Sequence, residues 1–345
     1  MFLKLEQPMK PRTLAPFLVI AFALSFLLMQ KRPERQENEA MLKSMPGDWF
    51  FRQRAYPQGY IDPQLRKASL MQAGQMRARL NPATAPAWQF RGPTNIGGRI
   101  TTMAISQQDP DILYIGAADG GVFRSTNGGV NWTPLTDDQT SLSMGAIAVD
   151  PTNDNVIYAG TGEANSSGDS YDGFGVIKST DAGVTWFSVG LEETRHVGKI
   201  VINPANSQIV YVAGMGNLFT GNPGRGVYKT TNGGSTWDRV LFVNDTTGVA
   251  DIAINPQNPG ILMAAAWQRR RAPQGRVFVG GSGTGIYLTT DAGATWSLLS
   301  NGLPAPAATV GRPGIAIAPS NPSVAYIEYL SNLFRSRIVS RPLSY

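Results

Sequence analysis

Side chains that could do chemistry gather in three polar segments of the chain, each lying between two apolar stretches. Guanidinium groups beside carboxylates and amides can bind the carboxylate of a peptide or of a sugar. The same groups can instead pair with one another and only fix the loops that carry them. The side chains concerned are Glu163, Asn165, Asp169, Asp172, Asn217, Phe219, Arg225, Trp267, Arg269, Arg270 and Arg271.

The composition excludes several other kinds of site. The 345 residues contain no cysteine, which rules out disulfides, a thiolate nucleophile and cysteine-bound metal. The single histidine, His196, rules out clustered-histidine metal sites, disfavours a Ser-His-Asp triad and is expected at a strand edge. Two acids in "GDSYDG" fall short of a calcium-loop spacing. We therefore predict no metal and no cofactor.

The net charge of +6 is distributed unevenly along the chain. Residues 1–87 hold 13 Lys/Arg and 6 Asp/Glu, whereas residues 88–345 hold 17 and 18. A nucleic-acid-binding domain needs a basic face of its own. The near-neutral body therefore predicts that the protein does not bind nucleic acid.

The elements that must position these side chains are marked by an eight-residue segment that occurs four times. Its copies are "STNGGVNW", "STDAGVTW", "TTNGGSTW" and "TTDAGATW", and their tryptophans are 54, 51 and 59 residues apart. A hydroxyl and an Asn or Asp can bond the backbone of a tight turn, and glycine supplies the freedom that such a turn needs. We expect structural turns at Ser125, Asn127, Gly129, Trp132, Ser179, Asp181, Gly183, Trp186, Thr230, Asn232, Gly234, Trp237, Thr289, Asp291, Gly293 and Trp296.

A second repeated piece lies upstream of each turn and reads as two apolar strands joined by a Pro/Asn/Asp turn, as in "IAVDPTNDNVIYAGT". With the short strand before the eight-residue segment and the strand after it, one unit holds four antiparallel strands. A unit of about 50 residues with this content predicts an all-β fold, a β-propeller of four-stranded blades.

The eight-residue segments resemble the Asp box, or bacterial neuraminidase repeat. The stretches "FRGPTNIGGRI" and "GRGVYKTTNGGSTWDRVLF" resemble bacterial sortilin-type propeller proteins, many of which are described as glycosyl hydrolases from the repeat alone. The resemblance covers about residues 45–330 and implies an exported, repeat-built surface protein. Sortilin receptors themselves have ten blades and cysteine-rich modules, which this chain lacks.

Each Asp box joins the third and fourth strands of its blade, so the loop between the second and third strands must lie at the opposite end. That loop spans 7 positions in the first unit and 17, 15 and 22 in the next three. Long loops on a rigid scaffold commonly carry binding sites. We therefore predict ligand binding at this end by Glu163, Asn165, Asn217, Arg225, Trp267, Arg269, Arg270 and Arg271.

The sequence also resembles two classes of enzyme in part. In sialidases an early Phe-Arg motif carries an arginine for the substrate carboxylate, and Arg91 of "FRGP" could match it. Xyloglucan-cleaving enzymes resemble this chain in their Asp-box blades, and Asp119 of "GAADGGVFR" could match a catalytic aspartate before a Gly-Gly pair. Glu163 is a second candidate carboxylate. A turn role for Asp119 remains the alternative, because those enzymes take their partner carboxylate from a second propeller.

The N-terminus contains the uncharged stretch Leu14 to Met29, preceded by three basic residues. This pattern is typical of a secretory signal, and the absence of a good cleavage site leaves an uncleaved membrane anchor as the alternative. We therefore predict a signal or anchor over residues 1–30, a linker with one helix over 31–87, and the propeller over 88–345.

The fifth unit begins with "GIAIAPSNPSVAYIEY", and "NLFRS" stands where the third strand is expected, but no fifth Asp box follows. About four and a half blades are therefore predicted, an incomplete ring that suggests a truncated chain or an arc completed by a second copy. Its open edge favours self-association.

Taken together, the pattern predicts a secreted, periplasmic or cell-surface propeller that binds a protein or a glycan without catalysis. The alternative is a glycoside hydrolase, inactive in truncated form.

Overall fold

The structure is a computed structural model, and it describes residues 53, 56–57, 62–79, 97–165, 170–271, 277–278, 280–330 and 335–339. The predicted signal or anchor at residues 14–29 lies outside the described residues, as do Arg91 and Asp169. Within the described ranges no helix is long and apolar enough to cross a membrane.

Among the described residues, one α-helix, α1 (Pro63–Arg79), precedes the sheets. The carboxylate of Asp62 accepts a hydrogen bond from the backbone N–H of Gln64 at 2.8 Å, and Pro63 occupies the first helical turn. Both features favour a helix start at this point. Arg77 and Arg79 lie in the last turn, where positive charge is favourable.

In the part of the chain that the structure describes, twenty-one strands follow, and they fall into five blade sheets and one small hairpin. The first two blades consist of β1 (Ile100–Ile105), β2 (Leu113–Ala117), β3 (Gly121–Ser125), β4 (Thr133–Pro134), β5 (Met144–Asp150), β6 (Asn153–Thr161), β7 (Val176–Ser179) and β8 (Phe187–Ser188). A 3-10 helix (Glu192–Thr194) leads into the third blade, which has β9 (Val197–Ile202), β10 (Val210–Gly214), β11 (Gly226–Thr230) and β12 (Asp238–Leu241). The remaining strands are β13 (Thr247–Ile254), β14 (Leu262–Gln268), β15 (Arg270–Arg271), β16 (Val277–Phe278), β17 (Gly285–Thr289), β18 (Ser297–Leu299), β19 (Pro313–Ile317), β20 (Ala325–Leu330) and β21 (Arg335–Val339).

The first four blades are four-stranded antiparallel meanders, which confirms the predicted propeller architecture. The fourth blade consists of β13, β14, β17 and β18, and the hairpin β15–β16 is inserted in its long loop. The fifth blade has three strands among the described residues, and these residues form no closed ring.

The third strand of the fifth blade differs from the prediction. The pattern placed this strand at Asn332 to Ser336, whereas β21 spans Arg335–Val339 and pairs Val339 with Tyr326. Alignment with "GVFRS" of the first blade puts Arg335 opposite Tyr326, whereas Val339 lies there, because the sequence motif marks residue types and not the register of the ladder.

Successive blades pack face to face through apolar side chains that lie mainly on their first, second and third strands. Tyr158 of the second blade packs with Ile200, Ile202 and Val212 of the third. The same arrangement recurs one blade later. A blade cannot bury both of its faces by itself, so each inner blade depends on its two neighbours.

The Asp boxes form four equivalent turns between the third and fourth strands. In the second blade, the Ser179 hydroxyl accepts the Gly183 N–H at 2.8 Å and donates to Asp181 at 2.8 Å. Asp181 in turn accepts the Thr185 N–H at 2.8 Å. Gly183 has a φ of +91°, and a Cβ there would lie 2.5 Å from a Leu135 methyl group of the preceding blade, so glycine is required.

The boxes also connect neighbouring blades. The hydroxyl of Tyr158 donates to the carbonyl of Gly233 in the next box at 3.0 Å, and Tyr211 makes the same bond to Ala292 at 2.9 Å. The indole N–H of Trp237 donates to the carbonyl of Val189 in the preceding blade at 2.8 Å. The box is therefore both a turn and a contact between blades.

Candidate mouth of the propeller

We call the end of the blades opposite the Asp boxes the mouth. It is formed by the loops between the second and third strands of each blade, with the connections between blades. The described parts of the loops predicted to bind a ligand lie at this end.

Helix α1 lies on the mouth of the first two blades and is held there by polar contacts. The Arg66 guanidinium donates to the main-chain carbonyl of Asp172 at 2.9 Å and lies 4.8 Å from the centre of the Tyr171 ring. The Lys67 ammonium lies 2.7 Å from the Glu192 carboxylate. Since several apolar side chains of the helix remain exposed, charge and hydrogen bonding determine its position.

A cleft of about 550 Å³, which we call the mouth cleft, separates α1 from the loops. Asp119, Asp137 and Asp138 line it from two connections of the first blade, and all three residues are exposed. Gln139 and the Tyr171 ring complete its polar and aromatic lining. The described residues contain no group of three or more His, Cys, Asp and Glu arranged to hold a metal ion.

Glu163, which follows β6, is fully buried. Its carboxylate forms an ion pair with Arg99 and accepts a hydrogen bond from Ser170 at 3.2 Å. Its backbone N–H donates to the Ser143 hydroxyl at 3.1 Å. A buried carboxylate with these partners joins the first two blades and fixes the loop that follows β6.

His196 is completely buried in the segment just before β9, deeper than the predicted strand edge. Its Nδ1 lies 2.9 Å from the Gly216 carbonyl oxygen, and its Nε2 lies 3.4 Å from the Asp172 carboxylate. Burial lowers the pKa of His196 below its ordinary value, although Asp172 opposes the shift. The His196 ring therefore lies between the loops of the second and third blades, with Nδ1 against the Gly216 carbonyl and Nε2 facing the Asp172 carboxylate.

Arg225 is also completely buried. Its guanidinium donates to the carbonyls of Thr246 and Thr220, each at 3.1 Å, and to that of Asn217. Burial lowers its pKa to about 10, and Asp245 opposes this shift. The Arg225 side chain therefore stabilises the β10–β11 loop through its hydrogen bonds to main-chain carbonyls.

Trp267 lies near the centre of the mouth, in contact with apolar residues from three blades. The Arg269 guanidinium lies 4.8 Å from the centre of its ring, and that of Arg312 lies 6.0 Å from it. Arg312 also donates to the Asn165 side-chain oxygen at 2.6 Å. Cations at these distances are attracted by the face of the indole ring.

The structure thus brings together some of the predicted binding residues and separates others. Asn165, Trp267 and Arg269 meet at the centre of the mouth through Arg312. Asn217 caps its own loop by accepting the Phe219 N–H at 2.8 Å. Arg270 and Arg271 belong to the hairpin β15–β16, and the side chain of Arg271 is outside the described set.

Four functional candidates were missed at the sequence level: Arg99, Asp137, Asp138 and Arg312. Asp137 and Asp138 stand in "LTDDQT", directly after the first Asp box. Two adjacent acids in a connection between repeated units are the signal that could have found them. Arg99 and Arg312 precede first strands and carry no comparable pattern.

Comparison with known proteins agrees with this architecture. A family model described as "Sortilin, neurotensin receptor 3" matches residues 175–309. A crystal structure of an ancestral GH74 enzyme aligns with 68% of this chain and 30% of its own, with a TM-score of 0.51 and 23% sequence identity. The structural likeness supports the fold, a β-propeller repeat protein.

Two curated relatives are enzymes. A xyloglucanase of Paenibacillus sp. is 30% identical over 224 residues, which cover 58% of this chain and 21% of the relative. A xyloglucanase of Hypocrea jecorina is 29% identical over 226 residues, which cover 58% of this chain and 26% of the relative. This chain therefore spans about a quarter or less of the length of these relatives. The similarity favours the glycoside hydrolase alternative over the predicted non-enzymatic binding.

Proposed function

We propose that this propeller binds a β-linked glucan of the xyloglucan type in the mouth cleft and that Asp119 acts as a catalytic carboxylate in its cleavage. The similarity to two xyloglucanases supports the substrate class. The observation that carries the proposal is the position of Asp119, exposed in the turn after β2 and lining a cleft with two other exposed carboxylates.

The lining of the cleft suits a neutral polysaccharide. Asp137, Asp138 and Gln139 offer acceptors and a donor for sugar hydroxyl groups, and Tyr171 offers an aromatic surface. Arg66 and Arg77, on α1, add donors on the opposite wall. A few polar groups placed on an otherwise mixed surface are typical of a small-molecule site.

Cleavage of a glycosidic bond requires two carboxyl groups, one as an acid and one as a base or nucleophile. Glu163 and Asp172 are buried and engaged with Arg99 and His196, so neither is suited to this work. Asp137 or Asp138 is the partner that the mouth cleft offers to Asp119.

The test is release of reducing sugar from soluble xyloglucan by the full-length chain, with binding measured separately by calorimetry. We expect Asp119→Asn to lower the rate by about 100-fold or more, the usual range for losing a general acid or base. We expect its affinity for xyloglucan to stay within a few-fold of the wild type. A comparable loss in either Asp137→Asn or Asp138→Asn would identify the partner carboxylate.

Asp111→Asn is the matched control, because Asp111 is an exposed carboxylate at the box end of the same blade. It should leave both rate and affinity unchanged. Binding that depends on the cleft, with no cleavage by the wild type, would reject the catalytic role and leave a glycan-binding propeller. Absence of binding would reject the proposal as a whole.

A further inference from the structure

The two outer faces of the blade stack differ from every face inside it. Tyr326 of the fifth blade is 50% exposed, although Tyr158 and Tyr211 hold the same repeat position and are buried. Met103 of the first blade is 59% exposed, although Ile200 and Ile252 hold its repeat position and are buried. These are the two faces on which no described blade packs.

The inner blades show what normally covers such a face. Tyr158 lies on Ile200 and Ile202 of the next blade, in one apolar cluster. Its hydroxyl also reaches the fourth residue of the next Asp box, Gly233, at 3.0 Å. The face that carries the tyrosine therefore fits the face that carries the two β-branched residues.

The exposed face of the first blade corresponds to the face that receives the tyrosine in the inner blades. Met103 and Ile105 occupy the positions of Ile200 and Ile202, and both are exposed. Beside them lies a shallow cleft of about 580 Å³, lined by Ile115, Phe123 and Trp132 among others. The exposed face of the fifth blade corresponds to the face that carries the tyrosine, and Tyr326 and Leu330 are exposed on it.

We propose that the fifth blade of one copy packs on the first blade of a second copy, as if it were the next blade. Tyr326 then covers Met103 and Ile105, and its hydroxyl donates to the carbonyl of Gly128, which holds the box position of Gly233. The occupant is a copy of this chain because the contact continues an interface that the inner blades already make. Since the two faces differ, the association is head-to-tail.

One residue makes this contact weaker than the inner interfaces. Glu328 lies between Tyr326 and Leu330 on the exposed face, at the position of the buried Ala213. A carboxylate within an apolar contact must lose water at a cost in free energy. The association is therefore a concentration-dependent equilibrium, and Glu328→Ala tightens it.

The experiment is sedimentation velocity of the full-length chain over a hundredfold range of concentration. The wild type should pass from monomer to larger species, and Glu328→Ala should shift this transition to at least tenfold lower concentration. Met103→Glu and Tyr326→Glu should each remain monomeric. Mixed together, they should give a dimer that does not grow, because each variant keeps one intact face.

Val184→Glu is the control, since Val184 is exposed in the box of an inner blade, and it should behave as the wild type. The chain has no cysteine, so Met103→Cys and Tyr326→Cys should form a disulfide only when the two variants are mixed. A wild type that stays monomeric throughout overturns the proposal, as does growth of the mixture beyond a dimer or a failure to cross-link.

Discussion

At the box end of the blades, four separate segments of chain make the same hydrogen bonds, whereas at the mouth no two blades are alike. In every box the first hydroxyl accepts the N–H of the glycine four residues later, at 2.8–3.0 Å. At the mouth, Glu163, His196 and Arg225 each occur once and each is buried with a different set of partners. The repeated Asp boxes thus form the structural framework, whereas the loops of the mouth differ from blade to blade and are the region in which a functional site can arise.

The largest predicted effect is on the free energy of unfolding, and it compares the buried Arg225 at the mouth with the Thr230 hydroxyl in an Asp box. Arg225→Met leaves three main-chain carbonyls without their donor, so we expect a loss of about 3 kcal/mol in the free energy of unfolding. Thr230→Val removes one box hydroxyl that accepts the Gly234 N–H at 3.0 Å, and should cost about 1–2 kcal/mol. Urea unfolding measures both.

Arg225→Lys sharpens this comparison, because it keeps the charge but cannot reach three carbonyls at once. Its stability should lie between those of the wild type and Arg225→Met. If Thr230→Val proved more damaging than Arg225→Met, the mouth would contribute less to stability than its buried charges indicate.

The second prediction uses pH and concerns His196. Because burial lowers its pKa in the folded protein, the unfolded chain binds a proton more readily than the folded one. This contribution to stability is complete above the ordinary value of 6.5 and is lost as the pH falls below it. We expect the free energy of unfolding to decrease from pH 7.5 to pH 5.

His196→Asn is the variant to compare, since its amide nitrogen can replace Nδ1 as the donor to Gly216 and does not titrate. Its stability should change much less over the same pH range. As the chain has no other histidine, an unchanged pH dependence would show that His196 is protonated in the folded state.

The smallest predicted effect is a loss of stability at low pH that comes from the aspartates of two Asp boxes. Hydrogen bonds from the Thr185 side chain and backbone lower the pKa of Asp181 to about 2, and Thr295 does the same for Asp291. Stability from these bonds is present above the ordinary value of 3.8 and is lost as the pH falls through about 2.

The double variant Asp181→Asn, Asp291→Asn should therefore lose less thermal stability than the wild type between pH 4 and pH 2. The first and third boxes already carry Asn127 and Asn232, which shows that the amide suits this turn. A double variant with the same acid loss as the wild type would place the titrating groups elsewhere.

Much of the fold could be predicted from the sequence, because it depends on local signals repeated at a fixed spacing. The boxes and the paired apolar strands gave the blades and their order. The register of β21 was misplaced, since alignment of "NLFRS" with "GVFRS" puts Arg335 opposite Tyr326, whereas Val339, four residues later, lies there. The burial of Arg225 and Glu163 could not be read from the sequence either, because charged residues in long loops ordinarily face water.

The sequence by itself determined a repeat-built propeller with variable loops gathered at one end, because turn chemistry and strand periodicity act over a few residues. Only the tertiary structure decided which of those loop residues reach a cleft. Asp119, Asp137 and Asp138 line one cleft beside α1, while Glu163 and Asp172 are buried. The physical reason is that exposure depends on which blade or helix covers a side chain, and those neighbours lie far away along the chain.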